Sequence, residues 1–128
     1  MEQNIAGWFE IPVTDMVRAI AFYEKILDVS MERHQMGELD MAWFPYAPYG
    51  KPGAAGSLVK HPAFYKPSHD GTLIYLSAPS GNLATELARV PDAGGKIVEE
   101  KKLIADDIGY MGIFIDSEGN RVALHSNG

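Results

Sequence analysis

The chain has 128 residues, 46% hydrophobic and 22% charged, the size and composition of one folded domain with its own core rather than a disordered segment. Its 11 basic and 17 acidic side chains leave a net charge of −6 with no basic run, so neither nucleic acid nor an anionic membrane is expected as a partner. The absence of cysteine excludes disulfides, a thiolate nucleophile and thiolate metal ligands, and no apolar run is long enough to span a bilayer. The start Met1-Glu2-Gln3-Asn4 has neither the basic end nor the apolar core of a signal peptide, which makes a cytoplasmic protein the expectation.

Residues 5–13 alternate, with Phe9, Ile11 and Val13 on one face and Trp8, Glu10 and Pro12 on the other, and this period of two predicts a half-buried strand. Thr14 and Asp15 can cap the helix that follows, where Met16, Ala19, Ile20, Tyr23, Ile26 and Leu27 form one apolar stripe ending near Asp28. Strands are predicted over 30–36 and 38–46, paired about Gly37, then a turn over 47–53 and a fourth strand over 56–60. Pro62, Pro67 and Gly71 mark 61–71 as a connector. A strand over 72–78 follows, then a cap at Pro79-Ser80-Gly81-Asn82 and a helix carrying Leu83, Leu87 and Val90 up to Gly94-Gly95. The chain closes with strands over 96–104, 110–115 and 120–125, the last two joined by the Asp116-Ser117-Glu118-Gly119 turn.

The second half repeats the first. Trp8–Val13 returns as Leu73–Ala78 and Leu58-Val59-Lys60 as Ala123-Leu124-His125, both at a step of 65 residues, and Phe22 maps onto Leu87 at the same step. The order is βαβββ twice, with modules over about 5–60 and 72–126. This predicts an α+β fold, a single domain over 1–128 in which two tandem βαβββ modules form a curved mixed sheet around a cleft. Parity sorts the strand residues. Phe9, Ile11, Val13, Ile74, Leu76, Val122 and Leu124 are expected to face the helices. Trp8, Glu10, Leu58, Lys60, Leu73, Tyr75, Ala123 and His125 are expected to face the cleft.

The duplicated βαβββ order resembles the vicinal oxygen chelate superfamily, which includes glyoxalase I, bleomycin-resistance proteins and extradiol dioxygenases. Phe9-Glu10-Ile11-Pro12-Val13-Thr14-Asp15, followed by Arg18-Ala19-Ile20-Ala21-Phe22-Tyr23, is similar to that family's first strand and helix. Gly71–Leu76 is similar to its fifth strand, and Asp116–Ser126 to its closing hairpin. The resemblance implies a small-molecule cleft and a homodimer. It also implies metal ligands, typically His or Glu, on the first and last strand of each module. Those places fall here on Trp8, about Leu58, Leu73 and Ala123, none of which has a side chain that ligates a divalent metal. No cofactor is therefore expected, and a divalent metal is disfavoured.

Two residues further along each of these strands, on the same face, stand Glu10, Lys60, Tyr75 and His125. Together in an apolar cleft they would form an acid–base ring: a carboxylate to take a proton from carbon, and a cation or phenol to hold the developing oxyanion. These four are the candidate catalytic residues, and Trp8, Leu58, Leu73, Phe44, Met111 and Ala123 the candidate substrate-binding walls. Glu10 and Lys60 could equally be a buried ion pair without chemistry, His125 an exposed or structural side chain, and Tyr75 ordinary strand packing. Three functions stay open: a metal-independent lyase or isomerase, a non-catalytic binding or sequestration protein of the resistance type, and a metal-dependent lyase or dioxygenase. No phosphate-binding loop and no G-x-S-x-G elbow is present.

Overall fold

The computed structural model describes residues 3–47 and 51–128; Met1 and Glu2, and Pro48, Tyr49 and Gly50 of the predicted turn, lie outside the described residues. The elements run β1 (Trp8–Pro12), α1 (Met16–Leu27), β2 (Glu32–Met36), β3 (Leu39–Trp43), β4 (Ala55–Lys60), β5 (Ile74–Ser77), α2 (Leu83–Ala93), β6 (Lys96–Ala105), β7 (Gly109–Ile115) and β8 (Arg121–Ser126). This is βαβββ twice, as the sequence predicts.

Local chemistry fixes both helices. The Asp15 carboxylate accepts the Arg18 N–H at 3.0 Å to start α1, and Asp28 ends it in the left-handed conformation, φ 55°. Asn82 caps α2 by accepting the Ala84 N–H at 3.1 Å, and Gly94 ends it at φ 106°.

The strands form two four-stranded mixed sheets, ordered β1-β4-β3-β2 and β5-β8-β7-β6. In each, the first and last strands of the module pair in parallel and the rest antiparallel. Each helix covers one face of its sheet, and α1 also packs on α2, so one core serves both modules. Its centre is aromatic: Phe22, Tyr23, Phe44 and Phe114 meet at ring separations of 4.9 to 6.4 Å.

A polar clasp ties module two onto module one. The Glu118 carboxylate accepts the backbone N–H of Thr14 and Asp15 and two N–H groups of the Arg18 guanidinium. Buried Asp116 accepts the Tyr23 hydroxyl at 2.6 Å. Asn120 donates to the Pro12 carbonyl and accepts from the Ser68 N–H. The closing hairpin turn therefore sits on the N-terminus of α1, where its acidic side chains meet the positive end of the helix.

The register of the parallel pairs corrects part of the predicted facing. In module two, Ile74 pairs with Val122 and Leu76 with Leu124 on the helix side, while Tyr75 pairs with Ala123 and Ser77 with His125 on the other. In module one, however, Ile11 pairs with Leu58, Glu10 with Ser57 and Pro12 with Val59. Leu58, expected in the cleft, is fully buried beside Ile11 and Val13 in the core. Lys60 shares that helix-side parity and lies exposed at the strand end, opposite Asp40. The repeat runs at 65 residues in the first strands, but Ser57 matches Ala123 at 66. With a side-chain period of two, one inserted residue moves every side chain of β4 to the opposite face. Leu58 and Val59 are both apolar, so their composition carries no warning of the shift.

Candidate functional site

A cavity of about 720 Å³ is lined by residues of both β1 and β5. Trp8 and Phe9 come from β1, Ile74 to Ser77 from β5, and Phe44 and Tyr46 from the end of β3 and beyond. Ala55 and Gly56, at the start of β4, also line it. Gly56 has a steric reason to be glycine: a Cβ there would lie 2.4 Å from the Phe9 ring. Lys51 is the one charged side chain among the described lining residues. Trp8 and Tyr75 remain 43% and 49% exposed, so the cavity presents two aromatic side chains to incoming molecules.

Beside the cavity, the helix-free face of the first sheet carries a polar row. Glu10, Ser57 and Trp43 are neighbours across β1, β4 and β3. The Glu10 carboxylate accepts the Tyr65 hydroxyl at 2.6 Å and, more weakly, the Trp8 indole N–H at 3.4 Å. The hydrogen bond to the carboxylate, with smaller contributions from burial and from the charge of Glu10, raises the Tyr65 pKa. Trp8 meets Trp43 edge-on at 5.7 Å, and His34 stacks on Trp43 at 4.2 Å. Ser57 is fully buried, and neither its hydroxyl nor the Trp43 indole N–H has a partner among the described residues.

The predicted acid–base ring does not assemble. Glu10 joins the Trp8 and Tyr65 side chains, and Tyr75 lines the cavity with Trp8. Lys60 lies away from them in a separate surface hollow with Gln35, Glu38, Asp40 and Pro62. Nor does Lys60 pair with Glu10 among the described residues; the cations there that do pair with carboxylates are others. His125 donates from Nε2 to the Ile108 carbonyl at 2.6 Å, which fixes the imidazole on the turn before β7. Of the predicted walls, Trp8 and Phe44 line the cavity. Met111 and Ala123 are buried on the helix-free side of the second sheet, Met111 paired with His125, and Leu73 is partly buried just before β5.

Sequence reasoning misses Ser57, through the register, and Tyr65. Tyr65 carries no signal of its own: it stands next to Phe64 between Pro62 and Pro67, in a connector with no strand to give it a period.

With the register known, the four places that the resemblance marks for metal ligands hold Trp8, Ser57, Leu73 and Ala123. An indole, a hydroxyl and two alkyl groups do not fit a divalent cation, which needs several imidazole or carboxylate donors. Among the described residues, no cluster of three or more His, Asp or Glu side chains could hold one.

Known proteins share this fold. The family model for the Glyoxalase/Bleomycin resistance protein/Dioxygenase superfamily matches residues 5–124. No curated protein matches the chain. Among solved structures, a glyoxalase/bleomycin resistance/dioxygenase domain from a Frankia species superposes with a TM-score of 0.71 at 16% identity, covering 98% of this chain and 100% of that one. A mutant of glyoxalase I from Zea mays gives 0.67 at 20% identity over 94% of this chain, which spans only 46% of the maize protein's length. An antibiotic-binding protein from a Streptomyces species gives 0.66 at 19% identity, with 100% and 99% of the two chains covered. At such identities these structures show the fold alone, but the family model covers nearly the whole chain: it belongs to the glyoxalase/bleomycin resistance protein/dioxygenase superfamily.

Proposed function

We propose that the chain binds a small aromatic molecule in the cavity between its modules, without a metal. The observation that carries this reading is the wall: Trp8, Phe9, Phe44, Tyr46 and Tyr75 around about 720 Å³, with Lys51 the only charged side chain among the described lining residues. That volume and lining are those of an ordinary small-molecule site, and stacking on the rings needs no acid–base group. The similarity to an antibiotic-binding protein supports the same reading at the level of fold.

The test is calorimetric titration with a neutral bicyclic aromatic, 2-naphthalenemethanol. Saturable one-to-one binding is expected, weakened about tenfold or more by Trp8→Ala. An absence of saturable heat, or equal affinity in the variant, overturns the reading. Titration with nickel, zinc or manganese is expected to give no stoichiometric binding; a stoichiometric metal would restore the metal-enzyme alternative.

A catalytic alternative keeps one specific observation in its favour, the Glu10 carboxylate oriented by the Tyr65 hydroxyl at 2.6 Å. In a lyase or isomerase, Glu10 would be the base and Tyr75 a hydrogen-bond donor at the cavity wall. Glu10→Gln would then abolish turnover while the protein stayed folded. In the binding reading that substitution alters affinity alone.

A further inference from the structure

We propose that the helix-free face of the first sheet takes the cationic end of the bound molecule: a protonated amine, amidinium or quaternary ammonium group. The aromatic body of the same molecule would occupy the cavity. This rests on the binding function proposed above and adds the charge class of the ligand.

Glu10 is the first support. Both groups that hold its carboxylate, the Tyr65 hydroxyl and the Trp8 indole N–H, are neutral. Three carboxylates among the described residues pair with an Arg or Lys, Asp40 with Arg33, Glu118 with Arg18 and Glu99 with Lys102, and Glu10 is not one of them. No ion pair involves Glu10 among the described residues, and the register sends Lys60 to the other face. A negative charge set among the rings of Trp8, Trp43 and Tyr65 favours an ammonium over a neutral group of the same shape. The carboxylate supplies the charge and the ring faces the quadrupole attraction.

The unpartnered Ser57 hydroxyl is an independent second support. It is fully buried, sits directly beside Glu10 in the β1–β4 register, and has no hydrogen-bond partner among the described residues. A buried polar atom without a partner is costly, and an N–H donor that entered this row by displacing the groups that cover Ser57 would satisfy its oxygen. The next residue in the row, Trp43, also has an unpartnered ring nitrogen, suited to an acceptor on the same molecule or to a water beside it. Trp8 joins the two halves of the site, because one indole both lines the cavity and touches Glu10. A ligand anchored in the cavity thus reaches the carboxylate across a single side chain. The net charge of −6 would draw such a cation in.

The test compares 2-naphthylmethylamine, 2-naphthyl-trimethylammonium and 2-naphthalenemethanol by calorimetry at low salt. The two cations are expected to bind about tenfold or more tightly than the alcohol. Glu10→Gln should collapse that ratio to about one, with circular dichroism confirming the fold. Ser57→Ala should narrow the ratio for the primary amine more than for the quaternary cation, which has no N–H to give. Equal affinity of cations and alcohol for the native protein, or a preference that survives Glu10→Gln, overturns the cation subsite and leaves the aromatic cavity standing. Failure of all three probes to bind overturns both.

Discussion

The two modules match on their helix sides and diverge on the opposite faces. On the helix side, Ile11 and Leu58 of module one correspond to Leu76 and Leu124 of module two in register and role, all buried in one core. On the other face, module one presents Glu10, Ser57 and Trp43, whereas module two presents Tyr75, Ala123 and Ile113 at the matching row. Module one carries a carboxylate with two neutral donors; module two has its imidazole bonded to its own turn. The shared core constrains one face of a duplicated unit tightly, because removing a methyl group there leaves a hole. The other face is free to differentiate, and the chemical character of the site comes from one module rather than from the symmetry of two.

Substitutions along β4 and β8 give the sharpest way to break this comparison. Leu58→Ala and Leu124→Ala are each expected to cost about 2–5 kcal/mol, while Lys60→Ala stays within about 0.5 kcal/mol. His125→Ala should fall between them, at about 0.5–1.5 kcal/mol, for the hydrogen bond to Ile108. Urea midpoints would read all four. If Leu58→Ala proved as mild as a surface change, Leu58 would face the cleft after all and the matched core would be lost.

The clasp between the modules predicts a smaller cost. Asp116→Ala leaves the buried Tyr23 hydroxyl without its acceptor and is expected to destabilise the chain by about 1–3 kcal/mol. Burial first, then the charge of Asp116 and the hydrogen bond to it, hold the Tyr23 pKa well above its usual value, so the phenol remains a donor throughout the neutral range. Tyr23→Phe completes the cycle: if the losses of the two single variants simply added up in the double variant, the bond between the two would contribute nothing.

Glu118 adds a pH dependence to the same clasp. Burial alone would raise its pKa, but the Arg18 guanidinium, the backbone N–H groups of Asp15 and Thr14 and the Ser117 hydroxyl overcome that and lower it from 4.5 to about 2. A carboxylate whose pKa is depressed on folding contributes stability that is complete above its unfolded value. The contribution falls away as the pH drops from about 4.5 through about 2. Glu118→Gln should therefore unfold at lower urea than the native chain at neutral pH, and the gap between the two should close over that acid window. A gap independent of pH would mean that shape, not charge, holds the hairpin turn on α1.

Much of this architecture is legible in the amino-acid sequence alone. Alternation in 5–13, the Asp15 and Asn82 caps and the glycines at 37, 94 and 119 mark elements that the fold places within a few residues. The Asp116–Gly119 turn reads as a hairpin, but its docking onto α1 does not, because that contact lies about a hundred residues away in sequence. The β4 register is ambiguous for a different reason. Buried apolar residues occupy both faces of that strand, so parity has no contrast to read between Leu58 and Val59. The same ambiguity reaches the site, since parity carries Lys60 to the cleft along with Leu58. Tyr65 is hidden because its role depends on where the connector folds back, and hydrophobic periodicity says nothing about a segment without a period.

The smallest expected effect concerns Tyr65, which has no counterpart on the second module's face. Its hydroxyl bonds an exposed carboxylate, so Tyr65→Phe should change stability by no more than about 0.5 kcal/mol. The same variant should change ligand binding visibly, because it removes one of the two neutral donors that occupy Glu10. A cation would then meet a carboxylate with a free lone pair, and the preference for 2-naphthylmethylamine over its alcohol should increase. If Tyr65→Phe instead destabilised the chain as strongly as Asp116→Ala, the Tyr65–Glu10 bond would be a second clasp, holding the connector to β1. Glu10 would then have a structural use in module one, as His125 has in module two, and the two faces would differ less than their side chains suggest.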